Sequence, residues 1–439
     1  MRSSLARAWF ILSLLVLSFG YGFASHAWEL FPKTYVEQAW QEAQRQIPFI
    51  EDPRFDFARE YSYQETYDRQ GARTIRPGEV QPGLTAITSW WKTPRGPKTG
   101  IQLIDRDGTV LHKWFVDRTS LFQNTPFLRA DPTRTDLHGS LLLPTGDVVV
   151  NLEYVGMARL NSCGEVVWTL PEGGHHSISR AEDGSFWVPA TDHKKYNGRN
   201  LGYPGLESIW LDHILRVSEG GDVLDSIRVL DILYANDLEH LLFQYDRLSG
   251  DVLHTNDVEP LDASLAGEYP LFDAGDLLVS LRWLNLVFVF DRETMEVKWH
   301  ASGPFIWQHD PDFIGDGWIG IFDNNRVRGE ATGEGSRIIG FQSHTDSVDV
   351  LFRPTHLDRF YTHERGKWKR LENGNMLLTE ATTGRVVEVS PDGRAVWEWI
   401  HESYGTRVPS VTKATRVDLT QEEVASWTCS SVDSIDRSE

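Results

Sequence analysis

Asp105-Arg-Asp-Gly-Thr-Val-Leu-His-Lys-Trp114 is a polar turn that feeds a hydrophobic strand and closes on tryptophan. An Asp-Gly pair leading into such a strand is hairpin chemistry, because glycine takes the positive φ that a tight turn requires. The phrase returns as Asn161-Ser-Cys-Gly-Glu-Val-Val-Trp168, Ser218-Glu-Gly-Gly-Asp-Val-Leu224, Asp291-Arg-Glu-Thr-Met-Glu-Val-Lys-Trp299 and Ser390-Pro-Asp-Gly-Arg-Ala-Val-Trp397. A weaker copy, His344-Thr-Asp-Ser-Val-Asp-Val-Leu351, brings the count to six, with starts roughly 45 to 75 residues apart. A second phrase alternates with it: Leu143-Pro-Thr-Gly-Asp-Val-Val-Val150, Ala181-Glu-Asp-Gly-Ser-Phe-Trp-Val188, Asp273-Ala-Gly-Asp-Leu-Leu-Val279 and Glu372-Asn-Gly-Asn-Met-Leu-Leu378. A repeated four-stranded unit of this length is a propeller blade, and six copies predict an all-β, six-bladed β-propeller. A pair of β-sandwiches is the competing architecture, but it needs no internal repeat.

The repeat puts distant residues into register. His138, His176 and His309 stand eight residues ahead of the turn glycines Gly146, Gly184 and Gly317. His254 opens a similar strand whose turn, Ala274-Gly275-Asp276, follows an insertion. Inner strands border the central channel of a propeller, so equivalent positions from different blades converge at its mouth. Asn256 lies two residues beyond His254 on the same strand face. Arg282 interrupts an otherwise buried hairpin, Ser280-Leu-Arg-Trp-Leu-Asn285, and His309 sits in Trp307-Gln-His-Asp-Pro311. Imidazole serves as donor, base or nucleophile near neutral pH, and a guanidinium fork matches sulfate or phosphate oxygens. Taken singly, each histidine reads as a structural hydrogen-bonding residue and Arg282 as the partner of an acidic neighbour. The shared register favours one oxyanion site.

The order His175-His176-Ser177, Leu253-His254-Thr255-Asn256, Ser280-Leu281-Arg282 and Gln308-His309-Asp310 resembles the bacterial arylsulfate sulfotransferase family. So do the Asp-Gly turns into strands that close on Trp and the segment from Glu372 to Leu378; the likeness covers about residues 95 to 420. It implies an exported six-bladed propeller that moves a sulfuryl group from an aryl sulfate to a phenol through a sulfated histidine, independently of phosphoadenosine phosphosulfate. On that likeness His309 is the nucleophile. His254 is the acid for the leaving phenolate and then the base for the incoming phenol, and His176, Asn256 and Arg282 hold sulfuryl oxygens. His175 is the alternative to His176, one register step away. The chain departs from the family pattern at residues 49 to 84, where no family domain is recognised. The Asp310-Pro311 context and the acidic Glu380 are candidates for altering acceptor choice.

No Gly-x-x-x-x-Gly-Lys-Ser/Thr loop or Gly-x-Gly-x-x-Gly turn offers a nucleotide a seat, so no cofactor is expected. The formal charge of −20 over 439 residues argues against nucleic acid, whose phosphates need a basic surface. The expected partners are small phenols and aryl sulfates. Arg2 and Arg7 precede an uncharged run from Ala8 to Ala24, which routes the chain to a membrane as a signal peptide or an anchor over residues 1–28. The globular part is therefore expected outside the cytoplasm, in the periplasm, tethered to the inner membrane if the segment stays. A helix at 34–47 and a connector fill 29–84, the propeller spans 85–405, and a tail closes the chain at 406–439. Cys163 and Cys429 either pair, tying the tail to a blade turn, or stand as two thiols; no cysteine spacing matches a zinc site. Two rival readings remain on the same fold. One is a metal-dependent hydrolase or lyase, against which the fixed charge of Arg282 speaks. The other is a non-catalytic, membrane-tethered interaction propeller.

Overall fold

The computed structural model describes residue 9 and residues 12–21, 61–94, 96–122, 136–192, 209–243, 250–427 and 429. The expected helix at 34–47 and the region of signal cleavage lie outside these. Residues 12–21 are helical, and among the described residues no helix is long and apolar enough to cross a membrane. The chain divides into two units, residues 1–56 and residues 57–439, and the second holds the six-bladed propeller.

Blades 2 to 5 are each built from consecutive strands paired antiparallel. Blade 2 runs Leu137–Leu142, Val148–Leu152, Gly156–Leu160, Val166–Leu170; blade 3 runs Ser179–Arg180, Phe186–Thr191, Asp212–Val217, Val223–Arg228. Blade 4 runs Thr255–Pro260, Leu277–Leu281, Leu286–Phe290, Val297–Ala301; blade 5 runs His309–Phe313, Trp318–Asp323, Arg337–Gln342, Ser347–Phe352. Blades 1 and 6 close the ring from both ends of the chain. Lys413–Val417 is the inner strand of blade 1, ahead of Leu84–Trp91, Lys98–Ile104 and Val110–Phe115. Gly71–Thr74 is added as an outer fifth strand on Ala395–Ile400 of blade 6, whose other strands are Lys367–Arg370, Met376–Glu380 and Arg385–Val389. Ring strands thus occur on both sides of the expected 85–405 interval. The short pair Ser62–Gln64 and Arg407–Pro409 holds the two ends together.

The continuous hydrophobic runs in the middle strands follow from this packing. A blade is covered by a neighbour on each face, so Leu277, Val279 and Leu281 pack toward blade 3 while Leu278 packs toward blade 5. The same alternation sends Val148 and Val150 to blade 1 and Val149 to blade 3. Six hydrophobic clusters result, one at each blade interface. The channel carries charge at alternate inner-strand positions. Lys367 Nζ donates to Asp257 and Asp310 at 2.6 Å each, and Lys369 approaches Asp312 at 3.6 Å. Asp310 is therefore held within this ladder.

Cys163 and Cys429 form a disulfide across 266 residues of sequence. It joins the outer turn of blade 2 to the segment after the capped helix Gln421–Ala425, whose Val424 packs in the cluster between blades 1 and 2. The bridge therefore reinforces the strand closure at Lys413–Val417. Removing a native disulfide costs about 2–5 kcal/mol in small domains. Cys429→Ser, or reduction, is expected to lower the thermal midpoint by several degrees in a calorimetric scan. An unchanged midpoint would assign closure to the strand alone.

Candidate active site

Four of the histidines reach one place, at the end of the channel where the inner strands begin. His138 lies in the inner strand of blade 2, His176 just ahead of that of blade 3, His254 immediately before that of blade 4, and His309 at the start of that of blade 5. The ring centroids of His138 and His176 are 4.0 Å apart, and those of His176 and His254 are 4.8 Å apart. His176 and His254 adopt left-handed backbone conformations, φ 54° and 55°, which are uncommon for a non-glycine residue and turn each ring out of the strand pattern. Asn151 of blade 2 clamps the His175-His176-Ser177 backbone, donating to all three carbonyls at 3.2–3.3 Å. Gly139 permits this approach, since a Cβ there would stand 1.9 Å from the His176 carbonyl oxygen.

The partners of each ring fix its tautomer. Asn324 spends its amide N–H groups on the Thr362 and Arg365 carbonyls, at 2.9 and 2.8 Å. Its Oδ1, 2.7 Å from His309 Nδ1, must therefore accept, so Nδ1 carries the hydrogen. His309 Nε2 is left as a buried lone pair with no hydrogen-bond partner. Burial, and then the nearby charge of Arg282, hold the His309 pKa well below 6.5, so the ring is neutral. His254 Nδ1 faces Asp251 at 2.5 Å, and its Nε2 receives Arg282 Nη1 at 3.2 Å. Burial lowers the pKa of His254, opposed by Asp251.

Arg282 follows the blade 4 strand Leu277–Leu281 and its amide donates to the His254 carbonyl at 3.1 Å. Its guanidinium stacks on Trp283 and Trp307, 4.0 and 4.4 Å from the ring centroids. Trp307 is held by its amide donating to Asn285 Oδ1 at 2.8 Å. Burial lowers the Arg282 pKa to about 10, which leaves it cationic at neutral pH. Among the described residues no carboxylate lies within ion-pair distance of it, so the expectation of an acidic partner is not met. Its Nε is buried without a hydrogen-bond acceptor. Glu364, which lines the same cavity, and Asp251 act on Arg282 only through space, so the guanidinium makes no contact ion pair and has donors left for an anionic guest.

A cavity of about 350 Å³ opens onto this group. His138, His254 and Arg282 line it, with Tyr154, Trp210 and Trp283 supplying aromatic wall. His176 and His309 are not among its lining residues. Asn256 donates to the Gln308 carbonyl at 2.8 Å, which sets it beside the His309 loop, and its Oδ1 lacks a partner. His175 is fully engaged through Nδ1 to His176 and Nε2 to Thr191, so of the two adjacent histidines it is His176 that keeps an unpartnered Nε2.

Several participants were missed in the sequence. Asp251 stands only three residues before His254, a spacing that could have signalled it. Asn324 lies in the polar run Asp323-Asn324-Asn325 directly after a strand. Arg365 lines the cavity, pairs with Asp136, and belongs to no repeated phrase. Glu380 does not face the cavity: it accepts from Tyr67 Oη and the Tyr361 amide, each at 2.7 Å, and pins the N-terminal segment to blade 6. Asp310 is likewise spent on Lys367 and the Trp368 amide. Neither residue lines the cavity. Among the described residues no group of three or more His, Cys, Asp or Glu is arranged to hold a metal ion.

Solved structures resemble this chain at low identity. A protein of unknown function from Bacteroides caccae is 10% identical, with TM-score 0.49, covering 77% of this chain and 100% of that one. A streptogramin B lyase is 11% identical, with TM-score 0.40, covering 81% and 97%. A catalytically inactive virginiamycin B lyase from Staphylococcus aureus is 11% identical, with TM-score 0.36, covering 62% and 71%. No curated protein matches the chain. Residues 139–402, well over half of the sequence, match the arylsulfotransferase (ASST) family, and they hold His176, His254, Asn256, Arg282 and His309. The chain belongs to the arylsulfotransferase family.

Proposed function

We propose that this propeller transfers a sulfuryl group from an aryl sulfate to a phenolic acceptor through a sulfated His309, without a nucleotide donor. The observation that carries the reading is the buried guanidinium of Arg282, which makes no contact ion pair among the described residues, beside an imidazole whose Nε2 lone pair has no partner. In the first half, His309 Nε2 attacks sulfur, the S–O bond to the aryl group breaks, and the phenolate takes a proton from His254. Asp251 stabilises the protonated His254 that this step needs. In the second half, the acceptor oxygen attacks sulfur, the S–N bond breaks, and its electron pair returns to His309. The acceptor proton passes to His254. His176, Asn256 and Arg282 hold the sulfuryl oxygens as charge moves from the donor oxygen to the imidazole.

The same reading places the protein outside the cytoplasm, in the periplasm, with its N-terminal segment as anchor. The basic, then apolar, leader and the Cys163–Cys429 bridge support it, since disulfides persist in oxidising compartments.

Incubation with 4-nitrophenyl sulfate and phenol, following nitrophenolate release and product mass, tests the reaction. His309→Ala is expected to reduce release by at least about 10³-fold, and Arg282→Lys, which loses the planar fork, by about 10- to 100-fold. Activity that survives His309→Ala would move the nucleophile elsewhere.

The pH dependence has a definite sign. Because His309 is neutral well below 6.5, acidification through 6.5 does not remove the nucleophile, while it favours the protonated form of His254. At saturating donor the nitrophenolate burst should not slow as pH falls through 6.5. A burst that halves at 6.5 would mean that an ordinary, hydrated imidazole is attacking.

A further inference from the structure

A sulfuryl oxygen accepts hydrogen bonds and donates none, so His176 must present an N–H from Nε2 to hold one. Its resting hydrogen bonds place the hydrogen elsewhere. Asp212 Oδ2 accepts from the amide and hydroxyl of Thr255, at 2.8 and 2.9 Å, and its Oδ1 lies 2.9 Å from Thr191 Oγ1. Thr191 Oγ1 is 2.9 Å from His175 Nε2, and His175 Nδ1 is 2.8 Å from His176 Nδ1. With Asp212 ionised, Thr191 donates to it, His175 Nε2–H donates to Thr191, and His176 Nδ1–H donates to His175. That leaves His176 Nε2 as a bare lone pair. All four residues are buried: Asp212 and His176 are 3% exposed, Thr191 and His175 1%.

Protonating His176 outright would bury an imidazolium among His138, His175, His254 and His309, and burial together with these neighbours drives its pKa well below 6.5. The chain of contacts offers another route. We propose that Asp212, Thr191 and His175 are a proton wire that converts His176 Nε2 from acceptor to donor when an anionic sulfuryl group enters. A proton taken up at His176 Nε2 is matched by transfer of Nδ1–H to His175 Nδ1, of the His175 Nε2 hydrogen to Thr191, and of the hydroxyl hydrogen to Asp212. Both imidazoles remain neutral, and the only net change is a carboxylate becoming a carboxylic acid.

Burial and the neighbouring carboxylate of Asp251 push Asp212 up to about 7, so the conversion falls near neutral pH. The other ionisable groups near the wire are His138, Glu153 and His254 beside His175, with Arg282 behind His254. The three neighbouring histidines of the cluster are held neutral above 6.5 by burial. Anion binding should therefore take up one proton, and should weaken as pH rises past the point where Asp212 ionises.

The inference rests on His176 as a ligand of sulfuryl oxygens, and benzenesulfonate is a suitable probe because its C–S bond cannot be transferred. Titration calorimetry on the full-length protein, in buffers of different ionisation enthalpy, reads affinity and proton uptake together. The wild type is expected to bind with uptake of a proton, its affinity falling about tenfold per pH unit above about 7. Thr191→Val interrupts the wire, so binding should be weak at every pH and free of this slope. Asp212→Asn should act oppositely: its amide oxygen stays on Thr255 and its N–H₂ donates to Thr191, fixing the donor tautomer of His176. Affinity should then hold at the wild-type low-pH level across the range. Asp312 and Glu380 ionise in the same window, so the two variants decide rather than the slope alone. A Thr191→Val protein that keeps the wild-type slope, or an Asp212→Asn protein that binds as weakly as Thr191→Val, overturns the wire. A wild type that binds no benzenesulfonate at any pH overturns the anion site itself, and the wire with it.

Discussion

Dehydration of the imidazole cluster is the constraint on which the chemistry of this protein depends. Five histidines stand in a buried group, and every one is driven toward its neutral form by loss of water. A neutral ring has one donor and one acceptor nitrogen, so whichever nitrogen the protein engages decides what the other can do. Asn324 takes the hydrogen of His309 and leaves its Nε2 a bare lone pair; Asp251 takes that of His254; His175 takes that of His176. Identical side chains in a common environment are thus given different work by their partners.

Those partners also tie the ring together in sequence. Asn151 of blade 2 holds the His175-Ser177 backbone ahead of the blade 3 inner strand, and Asp212 of blade 3 holds Thr255 of blade 4. Asn285 of blade 4 holds Trp307 at the entry to blade 5, and Asn324 of blade 5 holds the Thr362–Arg365 loop before blade 6. Arg365 then returns to Asp136 at the start of blade 2, with Ser410 at the closing strand. Each tie is a buried or half-buried polar group satisfied across a blade boundary, so a shift of any blade would cost a hydrogen bond as well as apolar contact. The hydrophobic interfaces make the ring, and this inner circuit sets its rotational register at the site.

The repeated turn phrases made the blades legible, because each phrase is local and hairpin chemistry is written in adjacent residues. Ring closure was not legible. Gly71–Thr74 and Lys413–Val417 are short strands whose partners lie at the far end of the chain, and neither carries a turn signal of its own. The same division runs through the site. His138, His176 and His309 share a register and His254 opens a similar strand, so the four could be gathered from sequence. Arg365, Asn324 and Asp212 sit on loops and strand ends whose meaning depends on which blade they reach. The choice between the two histidines at 175 and 176 was one register step from being decidable; the structure gives His176 a left-handed backbone and an unpartnered Nε2, while both ring nitrogens of His175 are engaged.

An anion site in a chain of net charge −20 requires an explanation. Surface charge acts through water and is screened beyond about 8 Å at physiological ionic strength. Arg282 acts at contact distance from a buried position, where solvent screens it far less. Among the described residues no carboxylate is in contact with it: Asp251 is committed to His254, Asp136 to Arg365, and Glu364, which lines the same cavity and acts on Arg282 through space, accepts from Tyr63 Oη at 2.6 Å. In the channel, Asp257 and Asp310 are likewise committed to Lys367. By engaging these nearby carboxylates elsewhere, the fold leaves the Arg282 guanidinium without a contact ion pair, which is what the proposed guest would supply. On the proposed reading, selectivity for an anionic group is a local property of the inner strands, independent of the sign of the surface around them.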